Sequence, residues 1–407
     1  MITALRNATY ARLFAAQVVA LLGTGLLTVA LGLLAFELAG SDAGGVLATA
    51  LTIRILAYVL VSPVMTAVAS RLPRTAVLVT ADAVRAVMAL ALPFVTEIWQ
   101  VHVLVFLLQA ASATFTPTFQ ATIPQVLPDE EEYTAALTLS RLAYDLESLV
   151  SPVIAAVLLG VMGFHRLFIG TAMGFVASIV LVLAARPPAP VATPATPFRE
   201  RLTRGTRLFL ASSELRGLLA LNVVVACGVS MVLVNTVVLV EGQLGAGQAQ
   251  VAWLLAAHGA GSMVAALTIP RLLRRFADLE VMTFGAVVVA GGLGLAALAI
   301  HTPPGMAQWA WLALTWALIG AAVSMVGTPS SRLLRRACEP SDHPAVFAAQ
   351  FSLSHACYLL TYPAAGWLGI AVGLPLTAVL LSLLSTIALL ATAPLMGRVH
   401  RPSPHER

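Results

Sequence analysis

Six charged side chains fall inside long apolar stretches of this sequence: Arg54, Asp82, Arg85, Arg141, Asp145 and Glu147. A charge at the centre of a bilayer costs at least about 2.5–3.5 kcal/mol, so each needs a partner or a cavity. Asp82 and Arg85 are at i,i+3 and Arg141 and Asp145 at i,i+4, spacings at which two side chains share a helix face. Local neutralisation is the plain reading of both pairs. Glu147 lies about 200° around the helix from Asp145, so it cannot share the Arg141 face. The partners of Arg54 and Glu147 must come from elsewhere in the chain. A membrane-embedded carboxylate such as Glu147 or Asp145 can take a proton from one side and surrender it on the other, the chemistry of proton antiport.

His258, His355 and Cys357 complete the set. With Asp145 and Glu147 they supply the oxygen, nitrogen and sulfur ligands that suit a divalent transition metal. The alternative for each histidine is a hydrogen bond between helices; for Cys357 it is packing as a small hydrophobe. No HExxH, GxSxG or paired-cysteine pattern occurs, so the sequence does not read as an enzyme and predicts no cofactor.

The elements that hold these groups must be membrane helices. Of 407 residues, 59% are hydrophobic and 10% charged, against about 25% charged in a soluble domain. Much of the surface therefore faces something other than water. A spanning helix needs about 20 mostly apolar residues. Twelve such stretches occur, near 13–36, 46–69, 76–95, 101–123, 136–160, 167–185, 216–240, 251–270, 281–301, 309–328, 346–370 and 374–396. Arg54, Asp145, Glu147, His258 and His355 fall near the middle of theirs. The joining segments are short except for 186–215, whose prolines and arginines suit a surface linker. The expected organisation is an N-terminal six-helix half, 1–185, a cytoplasmic linker, 186–215, a C-terminal half, 216–398, and a cytoplasmic tail, 399–407. The first apolar run is too long for a cleaved signal peptide and implies a retained anchor.

All 23 basic residues are arginine. Without lysine there is no Walker A loop, which argues against a self-contained ATP-driven pump of the usual kind. With the N-terminus inside, 19 of the 23 arginines fall in inner segments and only Arg166 in an outer loop. The positive-inside rule then places both termini in the cytoplasm. The net charge of +5 reflects topology rather than a basic face for nucleic acid.

The two halves repeat. RLPR at 71–74 recurs as RLLR at 271–274, and Thr116-Pro117, Pro128 and Pro152 are echoed by Thr328-Pro329, Pro340 and Pro363. Parallel six-helix repeats suit a transporter that binds substrate near the midplane. On these features, and on Gln17, Gly23, ELAGS over 37–41, ADAVRA over 81–86 and TPTFQATIPQVLP over 116–128, the chain resembles the major facilitator superfamily over nearly its whole length. Within it the chain is similar to the bacterial enterobactin exporters and macrolide efflux proteins. SRLAYDLESLVSP over 140–152 also resembles facilitator-type nickel and heavy-metal resistance proteins.

The resemblance implies an all-α membrane protein with twelve transmembrane helices in two parallel six-helix halves. It implies a monomer in the bacterial cytoplasmic (inner) membrane that works by alternating access. Spans 2, 5, 8 and 11 would line the contact between the halves, making Arg54, Arg141, Asp145, Glu147, His258 and His355 the expected proton-coupling and substrate residues. Export of a small toxic or secreted organic solute by proton antiport is expected. Efflux of a divalent metal such as nickel, through Asp145, Glu147, His258 and His355, is the alternative. The superfamily's loop 2–3 motif, GxLaDRxGRR, stands here as TAVASRLPR: Thr66 and Pro73 replace its glycines and Ser70 its aspartate, while Arg71 and Arg74 remain. Arg71, Arg74, Asp82 and Arg85 are the gate candidates, with Asp82 as substitute partner for the motif arginines. Gln109 stands where many proton-coupled relatives carry an arginine, and Ser151-Pro152 where antiporters carry Gly-Pro.

Overall fold

A computed structural model describes residues 2–39, 43–69, 72–189 and 197–396, all of them helical or in short connections. Its twelve long helices match the twelve apolar stretches one for one. They are α1 Ala8–Ala39, α2 Ala43–Ala69, α3 Arg74–Ala91, α4 Ile98–Val126, α5 Glu130–Leu159, α6 His165–Ala185, α7 Ser213–Val237, α8 Gln248–Leu272, α9 Asp278–His301, α10 Met306–Arg336, α11 His343–Ala371 and α12 Leu374–Met396. Ten are both long and apolar enough to cross a membrane. Ten is the number among the described residues; of the other two, α5 carries Arg141, Asp145 and Glu147, and α11 carries His355, Tyr358 and Tyr362. Hydrocarbon offers no partner to a backbone N–H or C=O, so a chain within it closes its hydrogen bonds internally. Helices therefore persist through Pro63, Pro117, Pro270, Pro329 and Pro363.

The chain forms two compact units. One comprises Met1–Thr206 with Cys338–Ser352, the other Arg207–Ala337 with Leu353–Arg407. In the first, α1 packs on α6 and α5, α2 on α4, and α3 on α4 and α6. The second repeats the scheme: α7 packs on α12, α8 on α10, and α9 on α10 and α12. Ser230 and Asn235 of α7 hydrogen-bond Thr361 and the Ala365 carbonyl of α11, as α1 meets α5. Equivalent helices thus make equivalent contacts. At the α1–α6 crossing a Cβ on Gly174 would stand 2.8 Å from the Val19 carbonyl oxygen, so only a residue without one lets the backbones approach this closely. Phe36, Val161, Trp253 and Ile370 lie exposed on the outside, as lipid-facing side chains do.

The acidic run 129–132, which falls between the fourth and fifth apolar stretches, opens α5. Asp129 accepts the Glu132 backbone N–H at 2.9 Å, and Glu130, Glu131 and Glu132 fill the first turn, where the helix dipole favours negative charge. Within the linker, Phe198–Ala211 forms a helix with Phe209 buried and Arg199 and Arg207 exposed. The gate candidate Arg71, together with Ser70 and the tail 399–407, lies outside the described residues.

Candidate functional site

In the first unit the polar groups gather on α5 and the helices around it. Arg141 Nε lies 3.3 Å from Asp145 Oδ1 within α5, the Asp145 side chain being 9% exposed. Glu147 faces away from this pair, as the 200° separation requires. It lies against α1, where a Cβ on Gly25 would stand 2.5 Å from Glu147 Oε1 and would also strike Ser151. Arg54, on α2, is the cation whose field acts on Glu147. Arg54 also sits 5.4 Å from the centre of the Tyr58 ring, and the Tyr58 hydroxyl donates to Gln109 Oε1 of α4 at 3.0 Å. Ser140 donates to Gln17 Oε1 of α1 at 3.0 Å. Side chains of α1, α2, α4 and α5 thus form a polar region that contains both a carboxylate and a guanidinium, a setting in which uptake of a proton by Glu147 removes one of the charges.

Of the gate candidates, Asp82 and Arg85 pair with each other inside the helix 3–4–6 packing. Arg85 donates to Asp82, which is fully buried. Its guanidinium lies 4.6 Å from the Phe115 ring centre and 4.4 Å from that of Phe175. The cation three residues along the same helix thus holds Asp82 through Oδ1. Arg74 opens α3 and is buried, its Nη1 meeting no hydrogen-bond partner among the described residues.

His258 and His355 belong to the second unit. The His258 backbone packs against Gly320 of α10. His355 starts an aromatic ladder along α11, 6.0 Å from Tyr358, which lies 5.0 Å from Tyr362. Within either unit, no three His, Cys, Asp or Glu side chains among the described residues gather closely enough to hold a metal ion.

Sequence reasoning missed two ion-pair sites. Asp278, at the start of α9, is clasped by Arg332 at 3.0 Å and Arg336 at 2.9 Å from the end of α10. Arg204 of the linker helix forks onto Asp342, just before α11. Gly25 was also unmarked; nothing in its neighbourhood separates it from the many glycines that only pack.

Helix composition, the repeated packing and the buried charges all point to a transporter, and comparison with known proteins decides the matter. A family profile described as transmembrane secretion effector matches residues 1–330. The chain belongs to this family of major facilitator superfamily transporters. It is a multi-pass membrane protein and secondary transporter, not an enzyme. This secretion effector family member is 23% identical over 345 residues, 82% of each chain, to YfiS of Bacillus subtilis strain 168, an uncharacterized MFS-type transporter. Among solved structures it is similar to the human organic anion transporter MFSD10, with TM-score 0.80 and 13% identity over 95% of this chain and 99% of that one. A bacterial homologue of the iron transporter ferroportin in its outward-facing state gives 0.74 at 14% identity over 95% and 99%. The fucose:proton symporter FucP of E. coli gives 0.68 at 14% over 95% and 98%. At such identities these likenesses establish the fold alone.

Proposed function

We propose that this transporter exports a small toxic or secreted organic solute by alternating access, in exchange for protons, across a bacterial cytoplasmic membrane with both termini inside. The family's description favours export, and so does the likeness to enterobactin and macrolide exporters. The observation that carries the coupling is the Glu147 carboxylate of α5 packed against Gly25 of α1, within the electrostatic influence of Arg54 on α2. When Glu147 binds a proton its attraction for Arg54 is lost; when the proton leaves, that attraction returns. The balance of α2 against α5 thereby follows the proton. Asp145, two residues before Glu147 on the opposite face of α5 and paired with Arg141, serves as the accessory acidic site. His258 and His355, in the second unit, serve as polar residues for the cargo. A metal cargo has less support, because neither unit gathers three ligands among the described residues.

Growth of a pump-deficient host expressing the chain, on a panel of macrolides, dyes and nickel salts, identifies the cargo class; protection against nickel alone would reverse the choice. With a transported compound in hand, reconstituted Glu147→Gln is expected to lose transport driven by a pH gradient while retaining counterflow. Undiminished pH-driven transport by this variant would remove Glu147 from the coupling.

A further inference from the structure

The linker helix Phe198–Ala211 carries four arginines, and two of them grip chain segments on either side. Arg204 meets Asp342 as a fork, Nε to Oδ1 at 2.5 Å and Nη2 to Oδ2 at 3.0 Å. Asp342 immediately precedes α11, and its side chain is 10% exposed. One residue on, Gly205 lies so close to Ala345 that any Cβ would collide with its carbonyl oxygen. Toward the other side, Arg201 Nη1 donates to the Ala67 carbonyl near the end of α2 at 2.9 Å. The two gripped helices also touch directly. Ser352 Oγ of α11 donates to the Val59 carbonyl of α2 at 2.5 Å, and the rings of Tyr58 and Phe351 lie 4.9 Å apart. Between Pro63, Thr66, Gly205, Ala345, Ala348 and Ala349 a cavity of only about 10 Å³ remains, room for no more than one water.

Chain connectivity gives this junction its meaning. Residues Cys338–Ser352 pack with the first unit, yet from Leu353 onward the same helix belongs to the second. We propose that the linker helix is a latch: Arg204 on Asp342 and Arg201 on Ala67 hold the first turns of α11 against the end of α2, and these contacts release before the cytoplasmic side opens. A forked arginine–carboxylate pair is demanding in geometry, while the 38% exposure of Arg204 leaves water able to replace the carboxylate when the helices part. The inference rests on alternating access, but on neither the cargo nor proton coupling.

The test uses the full-length protein in inside-out membrane vesicles, with Cys227, Cys338 and Cys357 changed to serine and one thiol introduced by Ser352→Cys, a site buried against Val59. A membrane-impermeant maleimide labels this parent slowly. Arg204→Glu, which sets two carboxylates face to face, raises the labelling rate about tenfold or more, and Asp342→Arg in the same chain returns it to about the parent rate. Arg204→Lys, which keeps the charge and loses the fork, falls between. Unchanged labelling in Arg204→Glu overturns the latch, as does a reversed pair that stays fast while the protein remains monodisperse in detergent. The readout needs no cargo and no pH gradient. A chain that exports nothing in the growth panel yet shows the charge-reversal pattern keeps the latch and loses the exporter reading.

Discussion

Arg85 stacks on Phe175, its guanidinium carbon 4.4 Å from the ring centre, and so ties α3 to α6 through a cation and an aromatic face. Phe115 of α4 lies 4.6 Å from the same guanidinium and Asp82 neutralises it. A cation between two rings and beside a carboxylate has little left to offer a ligand. Its work is to join three helices, with the aromatic contacts worth about 2 kcal/mol or more where desolvated.

Arg85→Met alone leaves the Asp82 carboxylate buried and unopposed, a change that costs about 3–5 kcal/mol. Asp82→Leu combined with Arg85→Met is expected to recover most of the loss, because a well-packed apolar replacement of a buried pair is often neutral. Thermal unfolding in detergent, followed by tryptophan fluorescence, reads both variants. A double variant as unstable as the single one would mean that the pair does more than cancel its own charge.

Gly25 fixes where Glu147 can sit. A Cβ there would stand 2.5 Å from Glu147 Oε1, so Gly25→Ala must move α1, α5 or the carboxylate, at about 1–3 kcal/mol for overpacking. The expected variant folds but transports poorly, and Ser151→Gly in the same chain, which clears the other atoms in the way, restores part of the rate. Full transport by Gly25→Ala would show that the position of Glu147 is not critical.

The two arginines on Asp278 differ in burial and therefore in consequence. Asp278→Ala takes the carboxylate from Arg332, which is 8% exposed, and is expected to cost about 3–5 kcal/mol. Arg336 is 50% exposed, so Arg336→Ala is expected to cost under about 1 kcal/mol. The ordering is the prediction; equal falls in melting temperature would contradict the assignment of Arg332 as the principal partner.

Legibility in the sequence follows range. A membrane helix needs its apolar residues contiguous, and a charge inside one seeks a neighbour one turn away, so the twelve helices and the pairs Asp82–Arg85 and Arg141–Asp145 leave local marks. Arg54 and Glu147 stand out because local partners are missing, and the structure brings them within electrostatic reach. Arg204–Asp342, separated by 138 residues, leaves no such mark. Neither does Arg332–Asp278. Each of these arginines also reads as an inner-loop topology charge, and one sequence holds no sign that it does a second job.

Cys338 offers a native probe of the latch. It stands four residues before Asp342, where burial, and then the charges of Asp342 and Glu339, push its thiol up to about 12. Only the thiolate attacks an alkylating agent, and an ordinary cysteine with a pKa of about 8.5 is substantially ionised at pH 8. At that pH Cys338 is ionised to only about one part in ten thousand, so with Cys227 and Cys357 changed to serine the chain is expected to react with iodoacetamide about a thousandfold more slowly than free cysteine. Its rate should keep climbing about tenfold per pH unit beyond pH 9, where that of free cysteine levels off. Arg204→Glu, by freeing the segment, exposes the thiol and lowers its pKa, so alkylation at pH 8 accelerates. A rate that already levels near pH 9 in the parent would mean that the thiol is solvated and the junction around Asp342 is open.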